Sequence, residues 1–149
     1  MLWTLRNQSS SQSTGLEILP HQKFLDTVDF IRFHMKSKGD GWTIIITGDF
    51  NFPNICWDTL SIKTDSHGST SCAETLLQFM ESEFLTQVVE EPTRKEGEET
   101  ENILDLIITN NTGIIKEVEI NETTLSDHDL VSVVLSETFN PRSKKKIHF

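Results

Sequence analysis

Three short stretches hold the residue types that could do chemistry in this chain. "TGDFNFP" (Thr47 to Pro53) sets Asp49 and Asn51 two positions apart, directly after the apolar run "WTIII". In extended backbone, residues two apart share a face. A carboxylate and an amide would then stand side by side where a buried strand ends, a pairing suited to a cation, a phosphate or both. "ILDLII" sets Asp105 inside an apolar run. An unpaired buried charge is costly, so Asp105 should sit at the strand's exposed end or have a specific partner. The plain alternative is an Asp on a half-exposed strand face. "LSDHDLVSVVL" then puts Ser126, Asp127 and His128 just ahead of the last apolar run. Three strand ends thus carry acids, one with an Asn and one with a His.

That set suits metal-assisted cleavage of a phosphodiester. A hard cation such as Mg²⁺ takes oxygen ligands and keeps waters, so one or two carboxylates plus a substrate phosphate suffice. The metal polarises the phosphoryl oxygen and stabilises charge on the leaving group. His128 can serve as acid, as base or as a stabiliser of the pentacovalent phosphate if a carboxylate fixes its tautomer. Asp105 is the candidate for that orienting role. The amide of Asn51 can donate a hydrogen bond to a phosphate oxygen.

The elements that must position these residues follow from periodicity. A short strand, Leu2 to Leu5, precedes a Ser/Gln-rich loop (Gln8 to Ser13). Phe24, Val28, Ile31 and Met35 recur at spacings of 4, 3 and 4, which predicts an amphipathic helix from Pro20 to Ser37, ended by Gly39 and Gly41. Trp42 to Thr47 reads as a strand buried on both faces, of the parallel-sheet kind. A long polar connection from Pro53 to Gly68 leads to a second helix. Ser71 and Glu74 are expected to form a capping box there, with Ala73, Leu76, Leu77, Met80 and Phe84 on one face. Strands are expected at Leu85 to Val89, in "NILDLIITN", in "IIKEVEI" and in "DLVSVVLS". The acidic segment Glu90 to Glu101 reads as a solvated loop. Helices and strands are interspersed, which makes the class α/β.

Bulk properties narrow the options. The chain of 149 residues is of one-domain size, with 36% hydrophobic and 24% charged residues, as in soluble globular proteins. No apolar stretch approaches the ~20 residues of a membrane span, so no membrane partner is expected. The N-terminus lacks a basic segment followed by an apolar core, which predicts an intracellular protein, nuclear or cytoplasmic, and not a secreted one. Cys56 and Cys72 read as free thiols; with His67 they would make an incomplete zinc set. Sequons at Asn7, Asn110 and Asn121 are chance matches in that setting. A net charge of −10 argues against a protein held to DNA mainly by a basic surface. Bound divalent cations offset carboxylates locally, so a metal-dependent nuclease stays open. The one basic run, "RSKKK", reads as a flexible tail.

The stretches "TGDFNFPNICWD", "EEPTRKEGEETENILDLIITN" and "LSDHDLVSVVL", in that order, closely resemble the endonuclease/exonuclease/phosphatase superfamily. More narrowly, they are similar to the apurinic-type endonuclease domain of non-LTR (LINE-type) retrotransposons. The resemblance runs from about Ile44 to Leu135 and includes the signature Pro92-Thr93-Arg94. It implies that Asp49 positions or activates the attacking water and that Asn51 contacts the scissile phosphate. Asp127 would be the metal ligand, and His128 would face the phosphate with Asp105 hydrogen-bonded behind it. Ser126 would fix that segment or act as a simple turn residue. The implied cofactor is Mg²⁺, with Mn²⁺ as the alternative, and the implied partner is DNA, nicked to leave a 3′-hydroxyl that can prime reverse transcription.

The family pattern also includes an earlier half that is not matched here: an active-site Asn, a metal-binding Glu and a site aromatic, usually Tyr. This chain has no Tyr, and Glu17 alone precedes Asp49 as a glutamate. Leu5-Arg6 compares with the family's middle strand, where Tyr-Arg is common. The implied fold is therefore the C-terminal part of a four-layer, DNase I-like α/β sandwich with its N-terminal half missing. The partial domain would span residues 1–137, followed by a basic tail or truncated linker at 138–149. An uncovered apolar sheet face, and with it self-association or a covering partner, is the structural expectation. The functional one is a truncated Mg²⁺-dependent endonuclease, weak or inactive alone. The alternative is a non-catalytic remnant or domesticated interaction module, and a third reading is a superfamily member acting on phosphorylated small molecules or lipids.

Overall fold

A computed structural model describes residues 2–6, 20–38, 41–63, 70–96, 100–122 and 129–136. The elements run in the order β1 (Leu2–Arg6), α1 (Pro20–Lys38), β2 (Ile45–Asp49), β3 (Ile55–Cys56), β4 (Ser61–Ile62) and α2 (Ser71–Ser82). They continue with β5 (Thr86–Gln87), β6 (Arg94–Glu96), β7 (Thr100–Asn102), β8 (Asp105–Thr109), a 3-10 turn (Thr112–Ile114), β9 (Ile115–Asn121) and β10 (Leu130–Leu135). The class is mixed α/β.

The principal sheet has the order β1-β2-β8-β5. β1 runs parallel to β2, whereas β8 is antiparallel to both β2 and β5. β2 is buried on both faces as its composition requires, but it lies in a mixed sheet rather than a parallel one. It also starts later than the apolar run suggests: Trp42 is exposed and the ladder begins at Ile45. Ile44 and Ile46 join Leu106 and Ile108 in the main core, against Val28 and Ile31 of α1 and Ala73, Leu76, Phe79 and Met80 of α2. Ile45 and Ile107 point the other way and form a second cluster with Val89. Val118 and Ile120 of β9 and Val131 and Val133 of β10 pack against it. β10 leaves Leu130, Val134 and Leu135 exposed.

Three local expectations are corrected. The polar connection after Pro53 contains a small hairpin, β3–β4, anchored by buried Ile55. The acidic segment is likewise partly ordered, as the β6–β7 hairpin. At the start of α2 the cap is Thr70, not Ser71, and no side chain caps the backbone. Thr70 is already in the helical region, so its hydroxyl donates instead to Glu74 Oε1 at 2.6 Å.

The end of α2 is the most instructive difference. Leu85 N–H donates to Met80 O at 2.8 Å and Phe84 N–H to Glu81 O at 3.3 Å. These are the paired bonds of a Schellman C-cap, which holds the residue between them in left-handed backbone, usually a glycine. Phe84 fills that place at φ 53°, so it leaves the helical face and is 88% exposed. Phe79 takes the core position instead. α1 and α2 are also joined by Arg32, whose Nε donates to Glu83 Oε1 at 2.9 Å while its guanidinium lies over the Phe79 ring.

Left-handed backbone costs a bulky residue roughly 1–2 kcal/mol relative to glycine, partly offset by glycine's freer unfolded chain. Phe84→Gly is therefore expected to stabilise the fold by about 0.5–1 kcal/mol, read as a higher urea midpoint at unchanged slope.

Candidate functional site

The site is built at one end of the β2–β8 pair. In the antiparallel register Asp49 stands directly opposite Asp105, and Arg6 of β1 is the parallel neighbour of Asp49. Directly opposed antiparallel residues have Cα atoms about 5 Å apart and project to the same face. Asp105 therefore does sit at the end of its strand and shares that end with another carboxylate. Both acids are half-buried, and Asp49 Oδ1 is shielded from solvent. Like charges directly opposed across strands repel unless a cation or proton lies near them.

The turn after Asp49 presents Asn51 by a different device from continued strand. Phe50 is buried in the main core, and its N–H donates to Leu104 O at 2.9 Å. The Phe52 ring meets Phe24 of α1 edge-on at 5.4 Å. Between these two anchored aromatics Asn51 adopts φ 50° and is exposed. Asn accepts left-handed backbone more readily than other non-glycine residues, so the residue type that could contact a phosphate also permits the turn.

Thr93, fully buried, joins the remaining segments. Its Oγ1 accepts the N–H of Leu104 and the N–H of Asp105, each at 3.0 Å. Its own N–H donates to Asn102 O at 3.0 Å, and its carbonyl accepts the Asp129 N–H at 2.9 Å. Nearby, Lys63 Nζ donates to Pro53 O at 2.7 Å and to Asn102 Oδ1 at 3.4 Å, and Trp57 Nε1 to Ile103 O at 3.4 Å. These bonds hold the β3–β4 hairpin against the segment that leads into β8.

Of the sequence-derived site residues, Asp49, Asn51 and Asp105 are thus brought to one end of the sheet. Ser126, Asp127 and His128 lie outside the described residues, and so does His67 of the zinc set. Thr93 and Lys63 were missed as positioning groups. The Pro92-Thr93-Arg94 signature was the available signal for Thr93; Lys63 carries none. Cys56 and Cys72 are free and half-buried, as expected.

Among the described residues no group of three or more His, Cys, Asp or Glu side chains could hold a metal ion. A zinc set of four ligands therefore has no counterpart there. Two opposed carboxylates are a hard-oxygen donor pair, which fits Mg²⁺ or Mn²⁺ retaining several waters. Among the described residues no helix is long and apolar enough to cross a membrane.

A protein-family model described as endonuclease-reverse transcriptase matches residues 17–132, and the chain belongs to that family. No curated protein matches the chain.

The turn at Asn51 separates conformation from chemistry by substitution. Asn51→Gly is expected to leave stability within about 0.5 kcal/mol of the parent, and Asn51→Ala to cost about 1 kcal/mol more because alanine resists left-handed backbone. Urea denaturation of the two variants measures the difference.

Proposed function

We propose that this member of the endonuclease–reverse transcriptase family is a metal-dependent DNA endonuclease domain of the LINE type, built as part of a four-layer, DNase I-like sandwich. The observation that carries this reading is the opposition of Asp49 and Asp105 at one end of β2 and β8. Two carboxylates at one strand end are a hard-oxygen pair of the kind used beside a cation and a phosphodiester. Asp49 orients the attacking water and draws its proton. Asn51, exposed on its turn, donates a hydrogen bond to a phosphate oxygen. His128 faces the phosphate, held by Asp105. Ser126 fixes that segment of chain. Asp127 would be the protein ligand of Mg²⁺, which would supply Lewis-acid polarisation of the phosphoryl oxygen and charge neutralisation.

What supports the His128 assignment is a short bonded path. Asp105 N–H meets Thr93 Oγ1, and Thr93 O meets the N–H of Asp129, the sequence neighbour of His128.

A second reading is favoured by one observation, the exposed Leu130, Val134 and Leu135 of β10. A non-catalytic interaction module would use such a face to self-associate or to hold a partner.

Plasmid nicking with Mg²⁺ tests the first reading. Nicking should vanish with EDTA and fall at least ~100-fold in Asp49→Ala and His128→Ala, with Asn51→Gly impaired despite normal stability. Nicking that survives both alanine variants would overturn the assignment. Sedimentation tests the second: a concentration-dependent dimer lost in Leu130→Asp supports it, and a strict monomer that binds no hydrophobic dye sinks it.

A further inference from the structure

We propose that the C-terminal half of α1 and the adjoining Trp42 form a second contact for nucleic acid, one that stacks and holds a single strand. Phe30, His34 and Lys38 are spaced by four, so they follow one another along one flank of the helix. The His34 ring lies 4.2 Å from that of Phe30 and 5.5 Å from that of Phe33. At the end of this line Lys38 Nζ stands over the Trp42 ring, 5.1 Å from its centre. Phe33 is 68% exposed, Trp42 49% and Phe30 47%. Single exposed aromatics are ordinary on a protein surface, but rings in contact with one another make a patch.

The backbone, not burial of the indole, fixes Trp42. Asn110 Nδ2 donates to Trp42 O and Asn110 Oδ1 accepts the Ile44 N–H, both at 2.9 Å. Asn111 Nδ2 donates to Thr43 Oγ1 at 3.2 Å. Beside the ring opens a cleft of about 380 Å³ lined in part by Met35, Lys36, Trp42, Ile44 and Glu83.

Charge selects the occupant. From Phe30 to Lys38 the charged residues are Arg32, Lys36 and Lys38, with no acid among them. Asp26 and Asp29 lie upstream, and Arg32 is engaged by Glu83 at 2.9 Å. Lys36 and Lys38, both exposed, have no carboxylate partner among the described residues. Cations in a last helical turn are expected from the helix dipole alone; three exposed rings beside them are not. Exposed rings beside ammonium groups are the combination that grips single strands, with bases on the rings and phosphates on the cations. A duplex keeps its bases stacked on one another, so the fitting occupant is a strand with open bases, DNA or RNA. The patch adjoins the start of β2, whereas Asp49 and Asp105 stand at the other end of the ladder. Binding here therefore needs no divalent ion and does not rest on the endonuclease reading.

The test is fluorescence anisotropy of labelled short oligo-dT and oligo-rU with the whole chain, at low salt in EDTA. Binding of either supports the proposal, and the tighter of the two tells DNA from RNA as the occupant. Trp42→Ala should weaken binding at least ~10-fold, and Trp42→Phe no more than about three-fold, because a ring remains. Lys36→Gln with Lys38→Gln should lower the slope of log affinity against log salt by about 1.4, as for two phosphates of a single strand. Where Trp42→Ala fails to fold, Phe33→Ala takes its place, with a loss of at least ~5-fold. No binding of either oligonucleotide, or binding indifferent to Trp42→Ala and Phe33→Ala, overturns the proposal. So does a concentration-dependent dimer abolished by Phe33→Asp, since a second copy would then occupy the rings. Plasmid nicking is read separately: a chain that binds in EDTA and never nicks loses the endonuclease reading and keeps this one.

Discussion

The register between β2 and β8 is the constraint on which the site depends. Side chains alternate across a strand, so a slip of one residue would send every group to the opposite face. Asp49 and Asp105 would then be separated, and Ile46 and Ile108 would leave the main core. The register is fastened at both ends by groups outside the ladder. At the far end Thr109 Oγ1 donates to Ile44 O at 2.7 Å, and Asn110 accepts the Ile44 N–H through Oδ1 and donates to Trp42 O through Nδ2, both at 2.9 Å. At the site end Phe50 N–H reaches Leu104 O, and Thr93 holds the two amides that follow. Between these fastenings the buried isoleucines of both strands supply the apolar area that makes the pairing stable.

Strained backbone occurs at both ends of this arrangement, with different meanings. Asn51 and Phe84 both adopt left-handed φ. At Asn51 the conformation lifts a polar side chain out between two anchored aromatics, next to a carboxylate. At Phe84 it only completes a helix cap and exposes an aromatic ring, and no polar group is presented by it. Strain points to function when the residue type suits the conformation and the side chain is aimed at a site. Asn51 meets both conditions and Phe84 meets neither.

The sequence was most legible where burial dictates pattern. The Phe24, Val28, Ile31, Met35 series identified α1, and the isoleucine run identified β2, because a one-sided or two-sided core imposes a period on the chain. Legibility failed where a few bonds override composition. Glu90 to Glu101 reads as solvated because ten of its twelve residues are charged or turn-forming, yet Thr93 within it is completely buried and makes four hydrogen bonds. A hydroxyl that accepts two amides leaves no periodic trace. Phe84 was misread because periodicity carries no information about where a helix stops. The opposition of Asp49 and Asp105 was out of reach for a different reason: strand partners distant in sequence are fixed by tertiary packing, and the chain's local pattern does not encode their register.

Net charge is a poor guide to a site of this kind. At −10 the chain as a whole repels a polyanion. What a phosphodiester meets, however, is the local field within about a Debye length, ~8 Å at physiological salt. At the end of β2 and β8 that field includes the two opposed carboxylates, Asp49 and Asp105. A divalent ion held there, as the proposed function requires, would offset the local charge that the acids impose. The same acids that make the surface unattractive to DNA are thus the ones that would recruit the ion which makes the site attractive. On the proposed reading, DNA binding at this end would depend on divalent metal more steeply than on monovalent salt, the reverse of a protein that grips DNA with a lysine-rich face.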